Sequence, residues 1–192
     1  MFRVRPPRFR SHRDRGLTGM EDADSWVNRF HIGSVSATAS GIVDVAPGTS
    51  WPARVLGRLL RLPPAAAGQP ARLSIVRRTD GDSTHERWIR TFGAVGLTTR
   101  VTRTGEQVVE RAGPLEIKMR CRATASGVWF VPAGAGVVLG RLGFRLPGLV
   151  APRAYAHAWP SGEGAFDVEV SLRIPLLGAL LSYRGHFTEA EQ

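Results

Sequence analysis

Residues 85–114 read HERWIRTFGAVGLTTRVTRTGEQVVERAGP, and the periodicity of this stretch decides the fold. Trp88, Arg90 and Phe92 alternate with Arg87, Ile89 and Thr91, so one strand face carries an arginine between two rings. Leu97–Thr102 forms a second strand. A turn at Thr104-Gly105 leads to a third, Gln107–Arg111, closed by Gly113-Pro114. Further along, Leu115–Arg122 alternates most regularly of all. Leu115, Ile117, Met119 and Cys121 share one face, and Glu116, Lys118, Arg120 and Arg122 share the other. A sheet with one dry and one wet face is antiparallel.

Outward from this core the same period continues. Ser126-Gly127 turns into a strand over Val128–Val131, Ala154–Trp159 forms another, and Phe166–Ile174 and Leu180–Phe187 complete the C-terminal half. On the N-terminal side lie a strand over Arg72–Arg78, a loop over 65–70 and a long bent strand over Ile32–Val45, in which Gly33 and Gly41 mark bulges or close approach. Ser50 is a good N-cap and Pro52 suits a first helical turn. Trp51, Val55, Leu56, Leu59 and Leu60 then share one helical face, with Arg54, Arg58 and Arg61 off it. That helix can lie over one end of a sheet or on a membrane surface. A second short helix is expected within Glu21–Phe30. No strand–helix alternation is present, so the fold class is mainly β: an antiparallel sheet of nine or ten strands curling into a barrel or half-barrel, with one or two short helices.

Composition limits the function. The 192 residues suffice for one domain, expected over 20–188, with a basic disordered extension over 1–19 and a frayed tail over 189–192. Of the formal charge of +10, residues 1–19 supply half, through six arginines against one aspartate. With no stacking platform and no helix-turn-helix spacing, no nucleic-acid partner is expected. No apolar run approaches the ~18 residues of a membrane span, and no secretory signal is evident, so a cytoplasmic location is expected. The single cysteine, Cys121, excludes an internal disulfide and reads as a small buried hydrophobe.

Motif chemistry is sparse. The five histidines have no metal-ligand spacing, no serine stands in a nucleophile elbow, and the glycines of 132–147 miss the dinucleotide-binding spacing. That segment reads instead as a loop covering a barrel mouth. No metal and no cofactor are expected. The candidates for acid–base or electrostatic work are Arg90, Glu110, Tyr183 and His157. Trp88, Phe92, Tyr155, Trp159 and Trp129 are candidate ligand-binding rings. Each has a structural alternative: Arg90 and Glu110 as an ion pair bracing the hairpin, His157 as a half-exposed strand residue, Tyr183 as a core ring.

The order and spacing of several segments add a resemblance. RFH at 29–31, GRLLRLP at 57–63, WIRTFG at 88–93, ERAGP at 110–114, RLPGLVAPR at 145–153, FDVEVSLRIPLLG at 166–178 and YRG at 183–185 resemble a bacterial domain-of-unknown-function family (DUF4166). That family is often found C-terminal to saccharopine-dehydrogenase-like NADP-binding domains. The resemblance covers about residues 25–187. Around 154–163 the family tends to carry an acidic residue where this chain has His157 and Trp159. It implies a barrel-like domain and an NADP-dependent oxidoreductase as partner rather than a reaction. Two functions follow as expectations: binding of a small, largely apolar molecule for a partner oxidoreductase or biosynthetic pathway, or a stand-alone cofactor-independent cyclase or isomerase in the same cavity.

Overall fold

A computed structural model describes residues 26–190, so the expected extension over 1–19 and the last two residues of the tail lie outside the described residues. The chain forms α1 (Trp26–Ile32), β1 (Ala37–Pro47), α2 (Trp51–Leu59), β2 (Ala66–Asp80), β3 (Ser83–Phe92), β4 (Val95–Thr104), β5 (Gln107–Ala112), β6 (Leu115–Thr124), β7 (Gly127–Leu139), β8 (Leu142–Arg145), β9 (Arg153–Gly162), β10 (Ala165–Ile174) and β11 (Gly178–Glu189). All pairings are antiparallel. β1 to β6 pair in sequence, β1 also pairs with β11, and β11 leads through β10 and β9 to β7. The β6–β7 pairing closes the ring, giving a ten-stranded barrel from which the β7–β8 hairpin projects as an arm.

Closure places two backbones too close for side chains. A Cβ at Gly41 would sit 1.9 Å from the His186 carbonyl on β11, and one at Gly127 would sit 2.1 Å from the Ala158 carbonyl on β9. Gly41 is thus the close approach expected from the sequence. Gly33 is not a strand bulge: it follows α1, where its N–H donates to the Arg29 carbonyl at 3.0 Å.

The barrel has unlike ends. α1 occupies one of them, with Val27 and Phe30 only 1% exposed and Trp26 and Phe30 packed on Phe166 of β10. The carbonyls that end this helix are met by arginines from the wall: Arg77 donates to the Phe30 and Val35 carbonyls and Arg103 to the Gly33 carbonyl. Arg77 is paired in turn with Glu86 at 2.9 Å, their side chains 0% and 1% exposed. The Trp88 indole N–H donates to the same carboxylate. Backbone carbonyls take further donors of both arginines and help offset two cations on one anion, while Arg103 Nε has no partner among the described residues.

α2 stands at the other end. Ser50 caps it by accepting from the Ala53 N–H, as its sequence predicts. It docks by its small residues, with Ala53 buried against Ile174 and Leu180. Its larger residues do not complete the core: Trp51 is 71% and Leu59 75% exposed. The turns β3–β4, β5–β6 and β10–β11 and the β7–β8 arm lie at this same end. Residues 132–147 are therefore strands of the arm rather than a loop, and 66–70 begin β2 rather than forming a loop.

Candidate functional site

Between the α1 plug and the α2 end the barrel encloses a cavity of about 660 Å³, within the range of small-molecule sites. Its wall alternates by strand parity. β3 contributes Trp88, Arg90 and Phe92, β4 contributes Leu97, Thr99 and Val101, β6 contributes Leu115, Ile117 and Met119, and β9 contributes Ala154, Ala156 and Ala158. Leu59 to Leu62, just past the body of α2, form part of the lining at the mouth. Nearly all of this wall is hydrocarbon.

One compact polar group interrupts it. Arg90, on β3, donates to the Glu110 carboxylate on β5 at 2.9 Å and to the Thr99 hydroxyl on β4 at 3.0 Å. Thr99 donates to the same Glu110 oxygen at 2.7 Å, so three neighbouring strands are linked by a closed triangle. The Tyr183 hydroxyl, from β11 on the facing wall, is a further partner of the guanidinium. The Arg90 guanidinium also lies 4.8 Å from the centre of the Trp88 ring, a cation–π contact. Burial alone would lower the Arg90 pKa, but Glu110 and Tyr183 together hold it above the ordinary arginine value. Burial pushes the Tyr183 phenol up, with Arg90 opposing, so it remains a protonated donor at neutral pH. The two readings of Arg90 and Glu110 are both met: they are an ion pair, and that pair is the polar wall of a cavity.

At the floor lies a residue that sequence patterning misses. His31, the last histidine of the RFH segment, lines the cavity from α1 while packing on Phe30 and Phe166. Its Nδ1 donates to the Val27 carbonyl at 3.0 Å, which assigns the proton to Nδ1. Burial lowers its pKa to about 4, so at neutral pH the ring is uncharged and Nε2 is an acceptor. A lone histidine in a seven-residue helix gives no periodic signal. Thr99 was equally hidden, a threonine in a strand rich in threonine.

Three candidates lie elsewhere. Trp129, His157 and Trp159 stand on the outer surface of the barrel, where His157 stacks on Trp129 with ring centres 3.4 Å apart and on Trp159 at 4.8 Å. Tyr155, near the start of β9, is 39% exposed and also borders the cavity. Trp129, His157 and Trp159 do share one side of the wall, but the inward side of β9 belongs to Ala154, Ala156 and Ala158. Strand alternation decides it: with Ala156 and Ala158 facing the cavity, His157 and Trp159 face out. Burial lowers the His157 pKa. Cys121 is buried in the core, and burial pushes its thiol up to about 11. Among the described residues no group of three or more His, Cys, Asp or Glu is placed to hold a metal ion.

The fold and cavity define a plugged antiparallel β-barrel with an internal apolar chamber and one charged patch. A family model described as "Domain of unknown function (DUF4166)" matches residues 26–187, and the chain belongs to that family. The match begins at α1 and ends in β11, so it spans the whole barrel. No curated protein matches the chain, and no solved structure matches it.

Proposed function

We propose that the barrel binds a small, largely apolar molecule whose single polar end rests against Arg90, Thr99, Glu110 and Tyr183. The observation that carries this reading is the cavity itself: about 660 Å³ of space walled by hydrocarbon around one hydrogen-bonded polar cluster. Because Arg90 and Glu110 neutralise each other, a carboxylate ligand would have to displace Glu110 from its partner. A hydroxyl or carbonyl needs only a donor, and the protonated Tyr183 phenol supplies one. The ligand class that fits best is therefore a neutral lipophile bearing one oxygen function. Handing this molecule to an NADP-dependent oxidoreductase or a biosynthetic pathway is part of the proposal, and its support is the resemblance alone.

The neutral His31 favours a second reading, a cofactor-independent isomerase or cyclase. A base on the floor and a cationic patch on the wall are the elements needed to move a proton beside a stabilised oxygen.

The test uses N-phenyl-1-naphthylamine, an uncharged fluorescent lipophile, with native mass spectrometry of the protein from its host. One probe per barrel is expected, displaced by the co-purified ligand. Ala156→Trp, which fills the chamber, should abolish binding, whereas Trp129→Ala on the outer surface should leave it unchanged. Probe uptake insensitive to Ala156→Trp would remove the chamber as the binding site.

A further inference from the structure

Among the described residues the mouth end of the barrel differs in surface chemistry from the rest. Ten of the fourteen exposed large hydrophobic side chains among the described residues lie there. They come from three separate segments: Trp51, Val55, Leu59 and Leu60 of α2 and its end; Leu139, Leu142, Phe144, Leu149 and Val150 of the arm and the loop after it; and Leu176 of the β10–β11 turn. Patches of this size on one end of a small domain mark an interaction surface. Trp51, Val55 and Leu59 repeat every four residues, so they form one stripe along the helix. Leu59 and Leu60 also line the cavity, making the exposed apolar rim continuous with its interior.

Charge identifies what the rim meets. The segments that ring the mouth (48–65, 93–94, 113–114, 133–153 and 175–177) carry six exposed arginines, Arg54, Arg58, Arg61, Arg141, Arg145 and Arg153, and no acidic residue. The hairpin turns at the α1 end carry Asp80, Asp82, Glu106 and Glu163 and no basic one. Among the described residues the open end is thus cationic and greasy without an acidic side chain in its loops, whereas the closed end is mixed, its acidic turns standing beside exposed Arg29 and Arg78. An acidic protein partner would satisfy the arginines but would need its own matching apolar surface. A bilayer with anionic headgroups offers both chemistries in the right order, charge outside and hydrocarbon beneath. From these observations we infer that the barrel docks mouth-first on an anionic phospholipid membrane, with the α2 stripe and the arm tip at Leu139 and Leu142 entering the headgroup layer. The rim stands on exposure and charge and does not depend on the chamber holding a ligand.

The experiment is co-sedimentation of the full chain with phosphatidylcholine vesicles, with and without phosphatidylserine. Binding is expected only with phosphatidylserine and should weaken as salt is raised. Val55→Ser and Phe144→Ser together remove apolar groups that are already exposed and lie outside the cavity lining, so the fold should survive, checked by circular dichroism, and vesicle binding should fall at least tenfold. N-phenyl-1-naphthylamine binding is measured on the same variant and should be retained, which separates loss of docking from loss of the chamber. Lipids brominated in their acyl chains should quench wild-type fluorescence more than that of Trp51→Phe. Equal vesicle binding by wild type and the double serine variant would overturn the inference, placing the attachment on cationic residues outside the rim. Binding to nucleic acid that is indifferent to the serine substitutions, with no quenching by brominated lipid, would overturn it in favour of a polyanion site.

Discussion

Arg90 is held by groups from three other strands, and none of those groups is dispensable to it in the same way. Glu110 neutralises it, Thr99 bridges the two, and Tyr183 closes the set from across the cavity. Removing the anion alone leaves a largely buried cation. We expect Glu110→Gln to destabilise the protein by about 1–3 kcal/mol, the lower part of the range reflecting access to cavity water. Arg90→Met with Glu110→Leu should regain most of that stability while abolishing selectivity for a polar ligand end. Urea unfolding reads the first result and ligand competition the second; a double variant less stable than Glu110→Gln would contradict the account. His31 makes a pH-dependent contribution. Its pKa is about 4 in the folded protein against the ordinary histidine value of 6.5. Above pH 6.5 the ring is neutral in both states and its contribution is complete. As pH falls from 6.5 towards 4 only the unfolded chain takes the proton, and up to about 3 kcal/mol is lost. Unfolding midpoints at pH 7 and pH 4.5 should therefore separate more in wild type than in His31→Gln. An equal drop in both would show that the ring is not buried as described.

At the scale of elements, α1 is a plug held by side chains of the wall. A helix of seven residues has little stability of its own, so the Arg77–Glu86–Arg103 cluster and the ring contacts on Phe166 fix it. Glu86→Gln strips the shared anion from both arginines. We expect a loss of about 3–5 kcal/mol together with faster amide exchange in α1 than in β10. A loss below about 1 kcal/mol, with exchange unchanged, would show that the backbone carbonyls alone hold the arginines. Element by element, strands with one apolar and one charged face were legible, as β6 and β10 show. β9 was not. Its large residues, Tyr155, His157 and Trp159, look like a buried face, and its alanines carry no preference for either side. Which side faces in is set by the pairing of β9 with β7 and β10 in the closed ring, a tertiary fact absent from the local pattern. α2 was legible as a helix from its cap and its Pro52, while the exposure of its apolar stripe was not. Amphipathicity states that a face must be covered and leaves the cover unspecified. His31 escaped for a like reason, since its role depends on which helix enters the barrel.

For the molecule as a whole, the antiparallel class and the curling of the sheet follow from the hairpin at residues 85–114 and its neighbours. The ring of ten strands follows from contacts that no local pattern encodes. No helix of the described residues is long and apolar enough to cross a membrane. The seam between β1 and β11 pairs Ala39 with Glu189 and Pro47 with Leu181, joining stretches more than a hundred residues apart. Every other wall contact joins strands close in sequence. The ring therefore cannot shut on a ribosome until the last strand has emerged. Until then β1 offers a bare, valine-bearing edge to any extended chain nearby. Non-local pairing of this kind slows folding, and β1 is the strand through which copies of the nascent protein would aggregate if a cell lacked the means to shield it.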